Sequence, residues 1–208
     1  MNIYFIRHAA TDLLKEGKAQ FDDTPLSSLG LAQAEKLASR LETLHLDTII
    51  SSPHQRATDT ADIIAKKLSL QTITSPLFAE IKKPLELHGL SKDDPTAKNI
   101  YSQINKNISN LDWHYSDEEN FSDIKKRALL AIDYLSNLEG DNVAVITHAN
   151  YLSLLLLFIA DPDFSDPSFF VKWRSFCRIT NTGITHLTFQ DSKWHLRSWN
   201  DDSHALDL

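Results

Sequence analysis

The chain has 208 residues, of which 42% are hydrophobic and 24% are charged, and its formal net charge at pH 7 is −7. These fractions are ordinary for a globular protein, and the length allows one domain with a sizeable core and an insertion. The acidic balance, without a basic tail or patch, argues against a general affinity for nucleic acid or an anionic membrane. Positive charge that binds an anionic ligand must therefore be local to a pocket.

The single cysteine, Cys177, excludes a disulfide framework and a thiolate metal site. We expect a cytoplasmic protein, because one cysteine suits a reducing compartment and no signal peptide is recognisable before the first predicted strand. The longest apolar run, Tyr151–Ala160, has about half of the roughly 20 residues of a membrane span, so a buried helix is the better interpretation. The oligomeric state stays open.

The first apolar run, Ile3–Ile6, is short and rich in β-branched and aromatic residues, which is typical of a buried strand. Arg7 and His8 follow directly at its C-terminal end. Arginine offers a planar fork of donors that fits phosphate or carboxylate, and histidine offers a nucleophile or proton carrier near neutral pH. The dipeptide alone is weak evidence, because such a pair more often stands in an ordinary loop.

Strands and helices alternate through the first half of the chain. After Pro53, apolar residues such as Ala57, Ala61 and Ile64 recur every three or four positions, which is the pattern of an amphipathic helix. A β-α-β-α-β order favours a parallel or mixed sheet that is flanked by helices. The predicted elements after the first strand are helix Ser28–Leu44, strand Asp47–Ser51, helix Gln55–Leu68 and strand Gln71–Thr74.

The second half begins with an irregular stretch, Glu80–Ser122, for which we predict an insertion with one helix near Thr96–Asn110. Long connections of this kind often cover a functional site. Regular structure then returns, and Asp161–Pro167 is a turn-rich linker. The predicted elements are helix Ser122–Leu138, strand Val143–Thr147, helix Tyr151–Ile159 and the hairpin strands Ile184–Phe189 and Trp194–Trp199.

Three predicted strands are followed by basic residues or histidines. The first ends in Arg7 and His8, the second is followed by Arg56 at the start of a helix, and the strand near residue 147 is followed by His148. If these strands are parallel neighbours, the four side chains converge on one edge of the sheet. Helix N-termini after two of the strands add positive dipole ends there, so the pattern predicts an anion site.

The motifs resemble the histidine phosphatase superfamily, also called the phosphoglycerate mutase-like family. Arg7–Ala9 corresponds to its Arg-His-Gly motif, and Ser51–Ala61 matches Ser-Ser-Pro-x-x-Arg-Ala-x-x-Thr-Ala at every fixed position. Thr147–Ala149 corresponds to the motif that contains the family's late histidine. The resemblance covers nearly the whole chain, favours the phosphatase branch and is weakest across Lys82–Asn120.

The resemblance implies an α/β fold, a three-layer sandwich in which helices cover both faces of a mostly parallel central sheet. It also implies one domain over residues 1–208, with an insertion or cap at about residues 80–122. The sequence departs from the family's pattern at Ala9 and Ala149, where glycine is usual. Alanine is small, but a positive φ at either position would be costly.

The resemblance further implies a covalent route through phosphohistidine. His8 would be the nucleophile, with its second ring nitrogen fixed by a hydrogen bond to a backbone carbonyl. Arg7, Arg56 and His148 would hold the phosphoryl oxygens, with His148 acting best as imidazolium.

In the family, a carboxylic acid early in the insertion protonates the leaving group, and Glu80 stands at that position. Glu86 is a rival because it is close in sequence. Thr11 either gives a further hydroxyl contact to phosphate or caps a turn or helix.

Other polar residues have two interpretations each. His54 lies inside the arginine motif and is a candidate for the pocket mouth. Lys82 and Lys83 either meet a second anionic group of the substrate or form a solvated pair, which is the commoner case. The remaining histidines lack a metal-ligand pattern, so we expect neither a metal nor a cofactor.

The function predicted from the resemblance is hydrolysis of a phosphomonoester, carried by a small phosphorylated metabolite or a phosphorylated protein. One alternative is a phosphoglycerate mutase, but mutases of the family carry an arginine-rich segment after the acid, and Ile81–Glu86 does not match it. Another alternative is a non-catalytic relative that binds phosphorylated ligands, which we would expect to lack His8 or the acid.

Overall fold

The computed structural model describes residues 1–207. Its regular elements, in chain order, are strands and helices that alternate through the first half and follow one another less regularly afterwards. They are β1 (Asn2–Arg7), α1 (Asp12–Lys15), α2 (Ser28–Leu41), β2 (Thr48–Ser51), α3 (Gln55–Leu68), β3 (Thr72–Thr74), α4 (Pro95–Lys106), α5 (Phe121–Ser136), β4 (Asn142–Thr147), α6 (Ala149–Ala160), α7 (Pro167–Phe176), β5 (Ile184–Gln190) and β6 (Lys193–Asp201).

The six strands form one mixed sheet in the order β3-β2-β4-β1-β5-β6. β3, β2, β4 and β1 are parallel, β5 pairs with β1 in the antiparallel direction, and β6 pairs antiparallel with β5 at the edge of the sheet. Arg7 lies opposite Thr147, and Ser51 lies opposite Ile146. The carboxyl ends of β1, β2 and β4 are therefore level, which brings the residues after them to one edge.

Each face of the sheet has its own apolar core, because side chains alternate along a strand. Helices α5 and α6 pack on one face, and helices α2 and α3 pack on the other. The strand residues in the first core include Ile3, Phe5, Val143 and Val145. Those in the second core include Tyr4, Ile6, Ala144 and Ile146. The α/β sandwich with a mostly parallel sheet is thus confirmed.

Some boundaries differ from the prediction for local reasons. α2 ends at Leu41, because Glu42–Leu44 tightens into a 3-10 turn. Helix α7 was not predicted, although Asp166 caps it through the amide of Phe169 and Pro167 occupies its first turn. Only Phe170 of this helix is buried, so its apolar stripe is too weak to indicate a helix.

The stretch between β3 and α5 is ordered around a small apolar cluster of its own. Leu87, Ala97 and Ile100 are buried together there, with Tyr101 and Ile104 packed against them. The predicted helix in this region exists as α4. None of the helices in residues 1–207 has the length and apolar character that crossing a bilayer requires.

Candidate active site

A cavity of about 580 Å³ opens at the carboxyl ends of the parallel strands. Its wall includes four residues that were predicted as site residues or as pocket lining, together with the candidate acid. They are Arg7, His8, His54, Arg56 and Glu80. The convergence that the strand order suggested therefore occurs, although these residues come from three separate parts of the chain.

His8 is only 2% exposed, and its Nδ1 lies 2.7 Å from the carbonyl oxygen of Ala9. A carbonyl can only accept, so Nδ1 carries the proton and Nε2 keeps its lone pair. Burial lowers the pKa of His8 well below its usual value, and the Arg56 and Arg7 cations lower it further. The ring is therefore neutral, which is the state that a nucleophile needs.

Each of the two arginines, Arg7 and Arg56, uses one of its N–H groups to bind a backbone carbonyl. Arg7 donates through Nη1 to the carbonyl of Ile179 at 2.7 Å, and Arg56 donates through Nη1 to the carbonyl of Phe21 at 2.9 Å. Burial lowers the pKa of both guanidiniums, but arginine stays charged. The buried Nε atoms of both have no hydrogen-bond partner within residues 1–207, so donors remain for an anion.

His54 joins Arg56 in the cavity wall. The guanidinium Nη2 of Arg56 lies 2.9 Å from His54 Nδ1, and since a guanidinium only donates, Nδ1 accepts. The other ring nitrogen lies 3.3 Å from the carboxylate of Asp22. Burial and the Arg56 cation lower the pKa of His54, so the neutral ring helps to fix the arginine. The sequence made His54 a candidate for the pocket mouth, and the structure places it among the residues that line the cavity.

His148 is fully buried and lies next to His8 and His54, which line the cavity. Its ring centroid lies 5.0 Å from that of His8, and its Nε2 lies 2.7 Å from the hydroxyl oxygen of Ser52. Nδ1 has no hydrogen-bond partner among the described residues. Burial lowers the pKa of His148 well below its usual value, and the Arg56 cation adds to this. The imidazolium form thus requires an anion beside it.

Glu80 lies at the N-terminus of α6. One carboxylate oxygen accepts from the amide of Tyr151 at 2.9 Å, and the other accepts from the side-chain amide of Asn150 at 3.1 Å. The rival Glu86 is exposed, accepts from Ser116 and does not line the cavity. Of the two candidate acids, the structure brings only Glu80 into the site.

Arg127 on α5 fixes the backbone just before Glu80, a role that no sequence pattern indicates. It forms a two-point ion pair with Glu119, with both N–O distances 2.7 Å. Its Nη1 also donates to the carbonyls of Leu77 and Ala79. A single guanidinium therefore holds both ends of the stretch between β3 and α5.

Thr11 does not line the cavity. Its hydroxyl oxygen accepts from the amide of Leu14 at the start of α1 and donates to the side-chain oxygen of Gln20 at 2.6 Å. These bonds support the capping interpretation of Thr11, and its contact with phosphate stays a prediction.

The two alanines that replace glycine fit without strain. Neither Ala9 nor Ala149 has a positive φ. The amide of Ala9 donates to the hydroxyl of Thr60 at 3.1 Å, and Ala149 is the first residue of α6. The positions tolerate a methyl group, so these departures do not disturb the backbone of the site.

The loop before β5 holds the backbone of Arg7 and His8 through hydrogen bonds. No sequence pattern indicated this contact. The side chain of Asn181 donates to the carbonyl of His8 at 2.8 Å, and the amide of Thr182 donates to the carbonyl of Arg7 at 2.9 Å. Ser52, by contrast, lies within the arginine motif, so its position was visible although its contact was not. Within residues 1–207 no cluster of three or more potential metal ligands occurs.

Residues 3–202 match the histidine phosphatase superfamily (branch 1), and the chain belongs to this family of phosphoric monoester hydrolases and their relatives. A probable phosphoglycerate mutase from Proteus mirabilis is 24% identical over 219 residues, covering 100% of this chain and 96% of the relative. A metal-independent phosphoserine phosphatase from Arabidopsis thaliana is 27% identical, covering 97% of this chain and 82% of the relative.

A solved structure of similar fold is that of a phosphoserine phosphatase mutant from Entamoeba histolytica in complex with phosphoserine. It superposes with a TM-score of 0.80 at 24% identity and covers 99% of both chains. At this identity the likeness supports the fold alone.

Proposed function

We propose that this protein is a phosphatase that hydrolyses a phosphomonoester through a phosphohistidine formed on His8. The observation that carries the proposal is the state of His8. Its ring is buried and neutral, its Nδ1 proton is bonded to the Ala9 carbonyl, and it borders a cavity whose lining includes Arg7 and Arg56. Such a ring offers Nε2 to an electrophile that the cations attract.

In the first step, His8 Nε2 attacks phosphorus and the bond from phosphorus to the ester oxygen breaks. Arg7, Arg56 and His148 hold the phosphoryl oxygens and balance their charge. Protonated Glu80 gives its proton to the departing oxygen. In the second step, Glu80 takes a proton from water as the water oxygen attacks phosphohistidine, and inorganic phosphate leaves with His8 restored.

The family membership and the Arabidopsis relative, a phosphoserine phosphatase by name, support hydrolysis as the outcome. The cavity volume, about 580 Å³, suits a small phosphorylated metabolite better than a folded phosphoprotein. A cytoplasmic location is part of the same proposal and rests on the single cysteine.

The test is hydrolysis of p-nitrophenyl phosphate by the wild-type chain and by His8→Ala. We expect the substitution to reduce kcat by roughly a thousandfold or more, since the bond-forming atom is lost. His195→Ala, which removes an exposed histidine on β6, should leave the rate unchanged. Rapid quenching of the reaction should trap phosphate that is bound to the protein. The bond that holds it should be stable to alkali and labile to acid. Equal turnover by wild type and His8→Ala would refute the proposal.

A phosphoglycerate mutase is the second candidate, because the Proteus relative carries that name. Both activities share the phosphohistidine and differ in whether water or a second hydroxyl takes the phosphoryl group. Incubation with 3-phosphoglycerate and a bisphosphorylated primer separates them. Release of phosphate without 2-phosphoglycerate supports the phosphatase. A non-catalytic role fits less well, since His8 and Glu80 both border the cavity.

A further inference from the structure

The cavity carries a local positive charge in an acidic chain. Seven basic and three acidic side chains line it, whereas the whole chain has a net charge of −7. Arg7 and Arg56 are assigned to the proposed phosphoryl site. The other five basic residues that line the cavity are Lys18, Lys82, Lys83, Lys92 and Arg127.

Three of these five cations already have acidic partners. Lys18 pairs with Glu16 at 2.7 Å. Lys82 pairs with Asp117 at 3.0 Å, and Arg127 pairs with Glu119. Because the acidic partner offsets the charge of each of these cations, they attract an anionic ligand only weakly.

The remaining two, Lys83 and Lys92, have no acidic partner at ion-pair distance within residues 1–207. Their ammonium groups also make no hydrogen bond to the described part of the chain. The strongest unassigned cationic feature of the cavity is therefore this lysine pair.

Lys83 is partly buried, so water screens its charge less than that of a fully exposed lysine. Burial lowers the pKa of its ammonium, the neighbouring Lys92 and Arg174 lower it further, and Glu80 opposes the shift. An anion bound beside Lys83 would offset the desolvation of the ammonium.

Lys83 lines the same cavity as Glu80 and follows it by three residues in the chain. In the proposed function Glu80 faces the ester oxygen. An anionic group on the leaving group of a small substrate can therefore face Lys83.

We propose that Lys83 and Lys92 form a second anion subsite, and that the substrate is a small phosphomonoester whose leaving group carries a second anionic group, a carboxylate or a phosphate. The proposal rests on the proposed phosphatase function and adds the class of substrate to it.

The experiment compares three substrates on one two-carbon skeleton, which are hydroxyethyl phosphate, phosphoglycolate and the bisphosphate of ethylene glycol. We expect the wild-type enzyme to prefer at least one of the doubly anionic substrates, by kcat/KM, by about tenfold to a hundredfold over hydroxyethyl phosphate. Whichever is preferred identifies the second anionic group. Lys83→Met should abolish the preference by raising KM, and Lys83→Arg should retain most of it.

Lys82→Met is the matched control, because Lys82 lines the same cavity but is paired with Asp117. It should leave the preference intact. Thermal unfolding of each variant checks that the fold is kept. The subsite is refuted if the wild type hydrolyses all three substrates equally, or if Lys83→Met keeps the preference. Absence of hydrolysis of every substrate, p-nitrophenyl phosphate included, would instead refute the proposed function.

Discussion

The contact between Ser52 and His148 gives the sharpest test of how the site is positioned. Both side chains are fully buried, and the hydroxyl oxygen lies 2.7 Å from His148 Nε2. If the hydroxyl donates to Nε2, the neutral ring carries its proton on Nδ1, the nitrogen that has no hydrogen-bond partner within residues 1–207. That proton would then be ready for a phosphoryl oxygen.

Ser52→Ala removes this bond and leaves Nε2 of His148 buried and unsatisfied. The cost of a buried polar group without a partner is about 1–3 kcal/mol. We therefore expect the free energy of unfolding to fall by about that amount. A loss of the same size in the stabilisation of the transition state would lower kcat/KM by roughly 5- to 150-fold, because 1.4 kcal/mol corresponds to a factor of ten. Urea unfolding measures the first quantity, and hydrolysis of p-nitrophenyl phosphate measures the second.

Ser51→Ala is the control. Ser51 is also fully buried, and its hydroxyl donates to the backbone carbonyl of Ser52 at 2.9 Å instead of to His148. It should cost stability with little loss of activity. If Ser52→Ala loses stability like the control and keeps kcat/KM within about twofold, the positioning of His148 by Ser52 is wrong.

Two further predictions concern pH and leaving groups. Burial holds the pKa of His8 and of His148 well below about 6.5, the value in the unfolded chain, so below that pH the unfolded state binds more protons. These two histidines should lower the free energy of unfolding by up to about 2.7 kcal/mol per pH unit from near pH 6.5 down to their native pKa values, since each contributes about 1.4. Urea unfolding across this range should show a slope that is smaller by up to about 1.4 kcal/mol per pH unit in His148→Gln, and an unchanged slope would contradict the assignment. Glu80→Gln cannot protonate the departing oxygen, so kcat for an alkyl phosphate should drop at least roughly tenfold more than kcat for p-nitrophenyl phosphate, whose leaving group needs little protonation. Equal losses on both substrates would exclude Glu80 as the acid.

The inner part of the site was predictable from the sequence because simple geometry determines it. Parallel strands with level carboxyl ends bring the residues that follow them together, and the positions of Arg7, His8 and Arg56 depend on little else. The strand patterns that establish this order are short and apolar, and they are visible in the chain itself.

The choice between Glu80 and Glu86 was not decidable in this way. It depends on which carboxylate meets the N-terminus of α6, a contact between segments about 70 residues apart in the chain. Arg127 and Asn181 were missed for the same reason. Their partners lie on distant elements, and nothing in their sequence neighbourhoods distinguishes them from ordinary surface residues.

The apolar cluster around Leu87, Ala97 and Ile100 is separate from the two cores that support the sheet. The segment between β3 and α5 thus has a core of its own, and the ion pair of Arg127 with Glu119 is one of the contacts that join it to α5. A graft of a relative's corresponding segment, with Arg127 kept, should change which leaving group the proposed phosphatase prefers while His8 still accepts the phosphoryl group.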